Sequence, residues 1–294
     1  MKCLILINPG SKGGKGLKNF DKFRKELDKR EVDRTEIMLS DIREATERAA
    51  SCDTSLYDTV VAAGGDGTIR AAGAGVLKNP DQQLKFGVLY TGTSPDFCRF
   101  HKIPLEPEKA VEALIQKQIK KIPLLTANGE PFFCSCNPGM GAEVAEKANR
   151  FRPFLGDFAG TLLAVLSTLI KNPRYNFTLN GRKLENCSHL LISRMPYIAG
   201  GLQLPSPSLK DDEFFIWYLK KVSLFQWLKV LYSLYTCRSC GTFETFSVPL
   251  YIDTPGHADT PLEFDGDPHG TMPLEINFAP RFLNLIIPAG VNGK

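Results

Sequence analysis

A strand-like run that passes into a glycine-rich turn constrains this chain more than any other feature. Residues 60–73, VVAAGGDGTIRAAG, lead from an apolar segment through a glycine-aspartate turn at 64–68 into alanines that favour a helix. At such a turn, successive backbone N–H groups can point into one concavity, and the helix dipole adds to the attraction for an anion. Glycine also lets a phosphate approach the backbone without meeting a Cβ atom. The turn therefore predicts a phosphate-binding site. The alternative is a tight strand-to-helix turn whose glycines only satisfy backbone angles.

The first 122 residues alternate strands and helices around this turn. Strand-like runs cover residues 3–8, 34–39, 57–65 and 85–93, and helical patterns cover residues 17–30, 43–50, 68–77 and 106–118. This alternation implies parallel strands joined by right-handed crossovers. Glycine-rich turns follow the first, third and fourth strands, at the carboxyl ends where ligands bind in open α/β sheets.

Beyond about residue 125 the pattern changes to short β-type segments separated by Gly, Pro, Asn and Asp. Helical stretches at about 154–171 and 223–236 interrupt them. Many short strands in succession predict an antiparallel sandwich or flattened barrel. We therefore predict two domains, an α/β domain with a parallel sheet over residues 1–125 and a β-rich domain over residues 126–294, with the active cleft between them. Residues at about 285–294 could instead return to the first domain.

The composition is that of an ordinary globular protein, 43% hydrophobic and 23% charged over 294 residues, which argues against disordered and collagen-like classes. The formal net charge of +4 suits an anionic ligand or an acidic membrane surface without requiring either. The most apolar run, residues 158–170, is shorter than the roughly 18 residues that a membrane-spanning helix needs. The opening MKCLILINPG is typical of a strand rather than a signal peptide, and the eight cysteines then favour reduced thiols. These features predict a cytoplasmic protein.

Neither common nucleotide-binding fingerprint is present. Gly14 and Lys15 are followed by Gly16, and no glycine stands where the P-loop pattern requires its first one. No G-x-G-x-x-G segment follows a strand. The sequence thus predicts a phosphate-binding α/β protein outside the P-loop and dinucleotide-binding classes.

Four segments, in chain order, resemble the diacylglycerol kinase catalytic-domain family: NPGSKGGKG (8–16), GGDGTI (64–69), GTSPDF (92–97) and FDGD (264–267). These are soluble lipid kinases related to NAD kinase and, more distantly, to phosphofructokinase. The resemblance spans nearly the whole chain. It implies a nucleotide-binding first domain, a substrate-binding second domain, and ATP and Mg²⁺ as cofactors. The implied reaction transfers the γ-phosphate to the hydroxyl of a diacylglycerol-like lipid in phospholipid biosynthesis, during transient contact with a membrane surface.

The nucleotide-contacting positions that the resemblance implies lie in turns that follow strands. They are Asn8, Pro9, Ser11, Ser40, Gly64, Gly65, Asp66, Gly67, Thr68, Thr93 and Asp96. The first loop would cover the ATP phosphates, the glycine turn would hold them, and Asp66 would place the nucleotide–magnesium unit.

The FDGD segment would act on the acceptor hydroxyl. A carboxylate there can accept the proton of the alcohol as the P–O bond forms, an effect typically worth roughly 10²–10⁴ in rate. Side chains on an extended segment repeat every second residue, so Asp265 and Asp267 are expected to point the same way, one as base and one holding metal or position. The alternative is a tight turn that carries two solvated acids. Together with Asp66, these are the predicted catalytic residues.

SLKDDEFF, residues 208–215, is similar to the stretch that holds a structural Mg²⁺ in bacterial members of the family. The resemblance implies that Asp211 supplies a carboxylate and that Ser208 and Glu213 supply backbone carbonyls. The alternative is an acidic hairpin turn.

The chain also departs from the family pattern. Arg70-Ala71 stand in place of Asn-Glu, Pro95 in place of Asn, Asp267 in place of Glu, and Lys12 in place of a glycine. The proline removes a side-chain amide and a backbone donor. Two alternatives to a lipid kinase therefore stay open: a non-catalytic nucleotide- or lipid-binding homologue, and a kinase of a soluble substrate such as NAD.

SLFQWLKVLYSLY, residues 223–235, carries large apolar residues at helical spacing. They are Leu224, Trp227, Leu228, Leu231, Leu234 and Tyr235. We predict a helix that faces the core; the alternative is a lipid-facing or membrane-contacting surface. A homodimer is also compatible with the sequence.

Overall fold

The computed structural model describes residues 2–198 and 200–290, with the backbone alone at 157 and 158. The chain divides into two compact units. The first contains the residues up to Leu124, a short segment that ends at Gly201, and the residues from Ala279 onward. The second contains Leu125–Ile198 and Leu202–Phe278.

Six strands form the sheet of the first unit, in the order β2-β1-β3-β4-β19-β5. They are β1 (Lys2–Ile7), β2 (Asp33–Met38), β3 (Thr59–Gly64), β4 (Lys85–Tyr90), β5 (Gln118–Ile122) and β19 (Leu283–Ile287). Neighbouring strands are parallel, except that β5 runs antiparallel to β19. β19 therefore joins this sheet from a point in the chain beyond the whole second unit. Residues 291–294, which the predicted returning segment includes, lie outside the described residues.

Amphipathic helices connect the strands of this sheet. They are α1 (Ser11–Gly14), α2 (Gly16–Lys29), α3 (Ile42–Ala50), α4 (Asp66–Lys78), α5 (Asp96–Phe100) and α6 (Pro107–Gln116). On α2, Phe20, Phe23 and Leu27 recur every three or four residues and pack with Ile5 and Ile7 of β1 in one buried cluster. This packing fixes β1, and with it the turn at the end of β1.

The second unit is built around an antiparallel sheet, in the order β17-β16-β8-β10-β9-β15-β18-β6-β7, with β13 beside β10 and β14 beside β13. Its strands are β6 (Leu125–Ala127), β7 (Glu130–Phe132), β8 (Ser135–Cys136), β9 (Tyr175–Leu179), β10 (Arg182–Ser193), β13 (Phe214–Lys220), β14 (Thr242–Phe246), β15 (Leu250–Asp253), β16 (Pro261–Phe264), β17 (Asp267–Thr271) and β18 (Leu274–Phe278). A short pair, β11 (Tyr197–Ile198) and β12 (Leu202–Gln203), stands apart from this sheet. Side chains from many of its strands, among them Phe177, Phe214 and Ile276, pack together in one buried core.

Two helices, α7 (Met140–Lys171) and α8 (Leu224–Tyr235), belong to the second unit. α7 breaks at Gly156, where φ is 76° and ψ is 171°. Its halves fold against each other: Arg152 Nε donates to Thr161 Oγ1 at 3.2 Å, and Lys147 Nζ donates to Thr168 Oγ1 at 2.7 Å. α7 is therefore a helical hairpin, and it begins before the predicted helix at 154–171.

The predicted fold class, a parallel α/β layer followed by an antiparallel β-rich unit, is confirmed. The prediction for residues 223–235 is partly wrong. Trp227, Val230 and Leu234 of α8 are buried, whereas the other large apolar residues predicted to face the core are exposed, namely Leu224, Leu228, Leu231 and Tyr235. One face of a helix can pack on a core, and the apolar residues of α8 extend beyond that face. Within residues 2–198 and 200–290, we find no helix with the length and apolar character needed to cross a membrane.

Candidate active site

Three neighbouring strands of the first sheet end side by side, and predicted nucleotide-binding turns follow them. The Asn8 N–H donates to the Ala63 carbonyl at 2.9 Å, and the Thr91 N–H donates to the Gly64 carbonyl at 2.9 Å. These bonds carry the pairing of β1, β3 and β4 past the strand ends. The loops that begin at Asn8, Gly65 and Thr91 therefore start from adjacent positions on one edge of the sheet.

Side-chain hydrogen bonds then join these loops. Asn8 Nδ2 donates to Thr68 Oγ1 at 2.9 Å, and the Ser11 hydroxyl lies 2.8 Å from the Thr91 hydroxyl. Pro9 follows Asn8 in the first loop and is half-buried. Asn8 thus links the first loop to the glycine turn, and Ser11 links it to the turn after β4. We call this hydrogen-bonded set the strand-end cluster.

Glycine is required where the turns after β3 and β4 approach each other. A Cβ atom at Gly92 would lie 2.5 Å from Gly65 Cα, and one at Gly64 would lie under 3.0 Å from the Thr68 side chain. Neither separation is found for real Cβ atoms. The two turns meet backbone to backbone, and a turn without Cβ atoms lets an anion approach its backbone N–H groups.

Asp66 opens α4, directly after the N-cap residue Gly65. The amino end of a helix stabilises negative charge, which suits a carboxylate at this position. The Tyr90 hydroxyl donates to Asp66 Oδ2 at 3.5 Å. Burial, together with the nearby Asp66 charge, raises the pKa of Tyr90 well above its ordinary value, so the phenol stays protonated. Backbone N–H groups for phosphate oxygens and one carboxylate for a metal are a donor set that fits a magnesium-bound nucleotide.

The turn after β4 contains two further predicted residues, Thr93 and Asp96. Thr93 is exposed. Asp96 is buried and accepts hydrogen bonds from Arg99 Nη1 at 2.7 Å and from the Gly200 N–H at 2.8 Å. Burial raises the pKa of Asp96, and these two donors oppose that rise. Asp96 therefore ties α5 to the segment at Gly200.

Ser40 lies apart from the strand-end cluster, in the turn that follows β2 at the sheet edge. Its N–H and hydroxyl both donate to the Glu44 carboxylate, at 2.8 and 2.9 Å. These bonds, and a further one from Arg48, lower the pKa of Glu44. Ser40 is exposed and is bound to the start of α3.

In the second unit, the FDGD segment is a hairpin rather than an extended strand. Asp265 and Gly266 form a two-residue turn with φ of 53° and 90°, and Phe264 pairs with Asp267 across it. The expectation that both acids extend from one face of a strand is therefore wrong. An Asp-Gly pair favours the positive φ angles of such a turn, and this preference overrides the extended backbone.

Asp265 holds the backbone of a distant segment. Its carboxylate accepts N–H bonds from Phe133 at 2.8 Å, Cys134 at 2.6 Å and Ser135 at 3.0 Å. Asp267 is half-buried and begins β17. The hairpin thus places one acid as an anchor and the next at the start of the returning strand.

A third acid beside this turn was not predicted. Glu263 is only 5% exposed, and its carboxylate accepts hydrogen bonds from Asn137 Nδ2 at 2.5 Å and from the Gly266 N–H. Burial raises its pKa to about 8; Asp265 and Asp267 add to that rise, and the two hydrogen bonds oppose it. The only signal in the sequence is the alternation of three acids in LEFDGD.

The residues at the predicted structural magnesium site do not fit a metal. The carbonyls of Lys210, Asp211 and Glu213 accept hydrogen bonds from the Arg194 guanidinium, at 3.2 Å for Lys210 and 3.1 Å for Asp211. Ser208 and Asp211 are exposed. A guanidinium competes with Mg²⁺ for these oxygens and repels it. Over residues 2–198 and 200–290, no three His, Cys, Asp or Glu side chains are grouped to hold a metal ion.

We compared the sequence with models of known protein families. Residues 2–127, which include the whole strand-end cluster, match the family model of the diacylglycerol kinase catalytic domain. Residues 2–127 correspond to a diacylglycerol kinase catalytic domain. The family predicted from the four motifs is thereby confirmed, and with it an enzyme of the lipid kinase family.

Individual proteins are similar over more of the chain. A Shewanella frigidimarina protein named "Probable lipid kinase YegS-like" is 28% identical over 239 residues, which cover 78% of this chain and 76% of that protein. A diacylglycerol kinase of Bacillus subtilis is 27% identical over 192 residues, 64% of this chain and 63% of that protein. The crystal structure of a diacylglycerol kinase from Bacillus anthracis matches 99% of this chain and 98% of that chain, with a TM-score of 0.76 and 20% identity. This last likeness shows a shared fold.

Proposed function

We propose that this chain transfers the γ-phosphate of ATP to the hydroxyl of a diacylglycerol-like lipid. The observation that carries the proposal is the strand-end cluster, in which Asn8 bonds to Thr68 and Ser11 to Thr91 around the turn that opens α4. The names of the relatives support the acceptor, since the Bacillus subtilis relative is a diacylglycerol kinase.

On the donor side, we assign phosphate binding to the backbone N–H groups of the turn at 64–68. Mg-ATP, when bound, supplies the transferable phosphoryl group and a metal that offsets its charge. Asp66 would hold that metal, because a carboxylate oxygen is a preferred ligand of magnesium. Thr93 would contact the nucleotide, and Asp96 would position the turn through Arg99.

On the acceptor side, we assign Asp267 as the base that takes the proton of the lipid hydroxyl. Asp265 accepts three backbone N–H bonds from residues 133–135, so we assign it a positioning role. Glu263 supports the same turn through the Gly266 N–H. Removing the proton as the P–O bond forms makes the alcohol a better nucleophile, which is typically worth roughly 10²–10⁴ in rate.

The test of the reaction is transfer of labelled γ-phosphate from ATP to diacylglycerol, to sphingoid bases and to NAD, with and without magnesium. We expect label in diacylglycerol and a requirement for magnesium. Transfer to NAD alone would show a kinase of a soluble substrate. Nucleotide binding without transfer to any acceptor would favour a non-catalytic homologue, in which the departures at Arg70 and Pro95 have removed activity.

Matched aspartate variants test the assignments. Asp267→Asn is expected to keep nucleotide binding and to lower turnover about a hundredfold or more. Asp66→Asn is expected to weaken magnesium-dependent ATP binding. Asp259→Asn, at an exposed loop position of the second unit, is the control. If Asp267→Asn has the same unfolding temperature as the parent and the same turnover rate as the control, the base lies elsewhere.

A further inference from the structure

Helix α8 exposes most of its apolar side chains. Trp227, Val230 and Leu234 form its buried face. On the remaining circumference, Phe225 is 81% exposed and Tyr235 is 83% exposed. The other exposed apolar residues of this helix are Leu224, Leu228, Leu231 and Tyr232. A soluble helix normally carries polar residues on this side.

The hairpin α7 has the same character. Leu162, Leu166 and Ile170, spaced four residues apart on its second half, are exposed, as is Leu163. At the tip of the hairpin, before the break at Gly156, Phe154 is 87% exposed. Residues 158–170 contain no charged side chain. The outer side of this half is therefore apolar without interruption by charge.

Both helices present these side chains on the same side of the second unit. Leu169 of α7 and Trp227, Val230 and Leu234 of α8 pack in one buried cluster with Trp217 of β13. Since α7 and α8 contact each other and bury their inner faces in the same cluster, their outer faces adjoin. We call the exposed apolar residues of α7 and α8 the helical face. Among the described residues, twelve large exposed apolar side chains lie on these two helices, whereas such side chains are usually scattered singly over a monomer's surface.

Exposed positive charge lies on α8, at the end of α7 and on the segments next to α8 in the sequence. Residues 214–243 contain three lysines, one arginine and no acid. All four cations are exposed, namely Lys220, Lys221, Lys229 and Arg238, and so is Lys171 at the end of α7. The Arg238 guanidinium lies 5.6 Å from the centre of the Tyr232 ring. Aliphatic stems of lysine and arginine can lie along apolar surface while their charges reach outward.

We propose that the helical face docks on an anionic membrane surface. Apolar side chains would enter the boundary between headgroups and acyl chains, and the exposed cations would bind lipid phosphates. Tyrosine side chains are typical of that boundary, where an apolar ring meets a polar layer. A second copy of this chain is a poorer partner, because a symmetric interface would bring identical positive charges together. The inference rests on the proposed function in one respect: the proposed lipid acceptor would lie in the membrane on which the helical face docks.

Vesicle sedimentation tests the proposal directly. The purified full chain is expected to pellet with vesicles of phosphatidylglycerol and phosphatidylcholine, and much less with phosphatidylcholine alone. The double variant Phe225→Gln, Leu228→Gln should lower partitioning at least tenfold, because both side chains are exposed and removing them leaves the core intact. Lys221→Glu with Lys229→Glu should remove the preference for anionic vesicles, at roughly fivefold or more per charge. The control is Leu56→Gln with Phe282→Gln, two exposed apolar positions of the first unit.

Three results would overturn the proposal. The first is a parent chain that stays in the supernatant with anionic vesicles. The second is a double variant that binds like the control. The third is a parent that is dimeric without vesicles and becomes monomeric in the double variant, which would make the helical face a contact between copies. A short-chain, water-soluble diacylglycerol distinguishes failure of this proposal from failure of the proposed function. The double variant should phosphorylate this substrate as fast as the parent does. If neither protein phosphorylates it, the proposed reaction is wrong, while the result on vesicle binding stands.

Discussion

Glu263→Gln should remove a pH dependence of folding stability that one buried carboxyl creates. In the folded chain, burial raises the pKa of Glu263 to about 8, against an ordinary value of 4.5. Between these values the folded state holds a proton that the unfolded chain releases, so raising the pH favours unfolding. The contribution is fully present below the lower pKa and is lost as the pH rises through the upper one.

The magnitude follows from the difference between the two pKa values. Each pH unit in this interval removes up to about 1.4 kcal/mol from the free energy of unfolding, and the whole interval removes about 5 kcal/mol. An amide cannot titrate, so Glu263→Gln should flatten the profile by about that slope. Its absolute stability should also fall, because one amide oxygen cannot accept both the Gly266 and the Asn137 bonds. The slope is therefore the diagnostic quantity.

Denaturant unfolding at several pH values between about 5 and 8 measures this slope. The matched control is Glu185→Gln, the same chemical change at an exposed position on β10. The control should keep the parent's slope, and Glu263→Gln should not. Equal slopes in all three proteins would mean that Glu263 is ionised in the folded chain, which refutes the reasoning from burial.

Three further changes have defined outcomes. Gly92→Ala should both lower the thermal unfolding midpoint and weaken ATP binding, because the new Cβ atom would lie 2.5 Å from Gly65 Cα. Unchanged ATP binding would show that the turn at Gly92 is not part of the ATP site. Arg194→Met should cost about 1–3 kcal/mol in urea unfolding, since three backbone carbonyls lose a charged donor. A magnesium-dependent rise in the parent's midpoint would show that a metal site forms there after all. Phe214→Ala, fully buried in the second unit, should cost about 3–5 kcal/mol by the same assay.

The local patterns that could be predicted are those in which neighbouring residues act together. Apolar strands followed by glycine turns bring Asn8 and Gly64 to one edge of the sheet, because parallel strands end side by side without any long-range information. Thr91, the partner of Ser11, was not among the predicted residues. On α2, the spacing of three or four residues predicts one apolar face of Leu17, Phe20, Phe23 and Leu27, of which all but Leu17 are buried. Sequence reasoning therefore identifies three of the four side chains of the strand-end cluster, namely Asn8, Ser11 and Thr68.

The unpredicted features depend on partners far apart in the chain. Asp265 finds its three donors at residues 133–135, some 130 residues earlier in the chain. Its Asp-Gly turn, in contrast, is a local feature and corresponds to the tight-turn alternative. Arg194 donates to the carbonyl of Glu213, 19 residues later in the chain and beyond β11 and β12 in the sequence. No periodicity in the sequence distinguishes these pairs from exposed charges. The helical face was ambiguous for another reason: an all-round apolar helix has the same pattern whether its partner is a core or a membrane.

The position of β19 has a consequence for synthesis on the ribosome. This strand lies between β4 and β5 in the sheet. Within it, Asn284 Nδ2 donates to the Gln82 carbonyl, 202 residues earlier in the chain. Until Leu283 has emerged, β4 has an unpaired edge and β5 has no neighbour in its sheet. The unit that begins the chain thus finishes folding last, after the entire β-rich unit has been made. Long-range pairing of this kind forms slowly, and it leaves the edges of β4 and β5 open to aggregation until Leu283 is available.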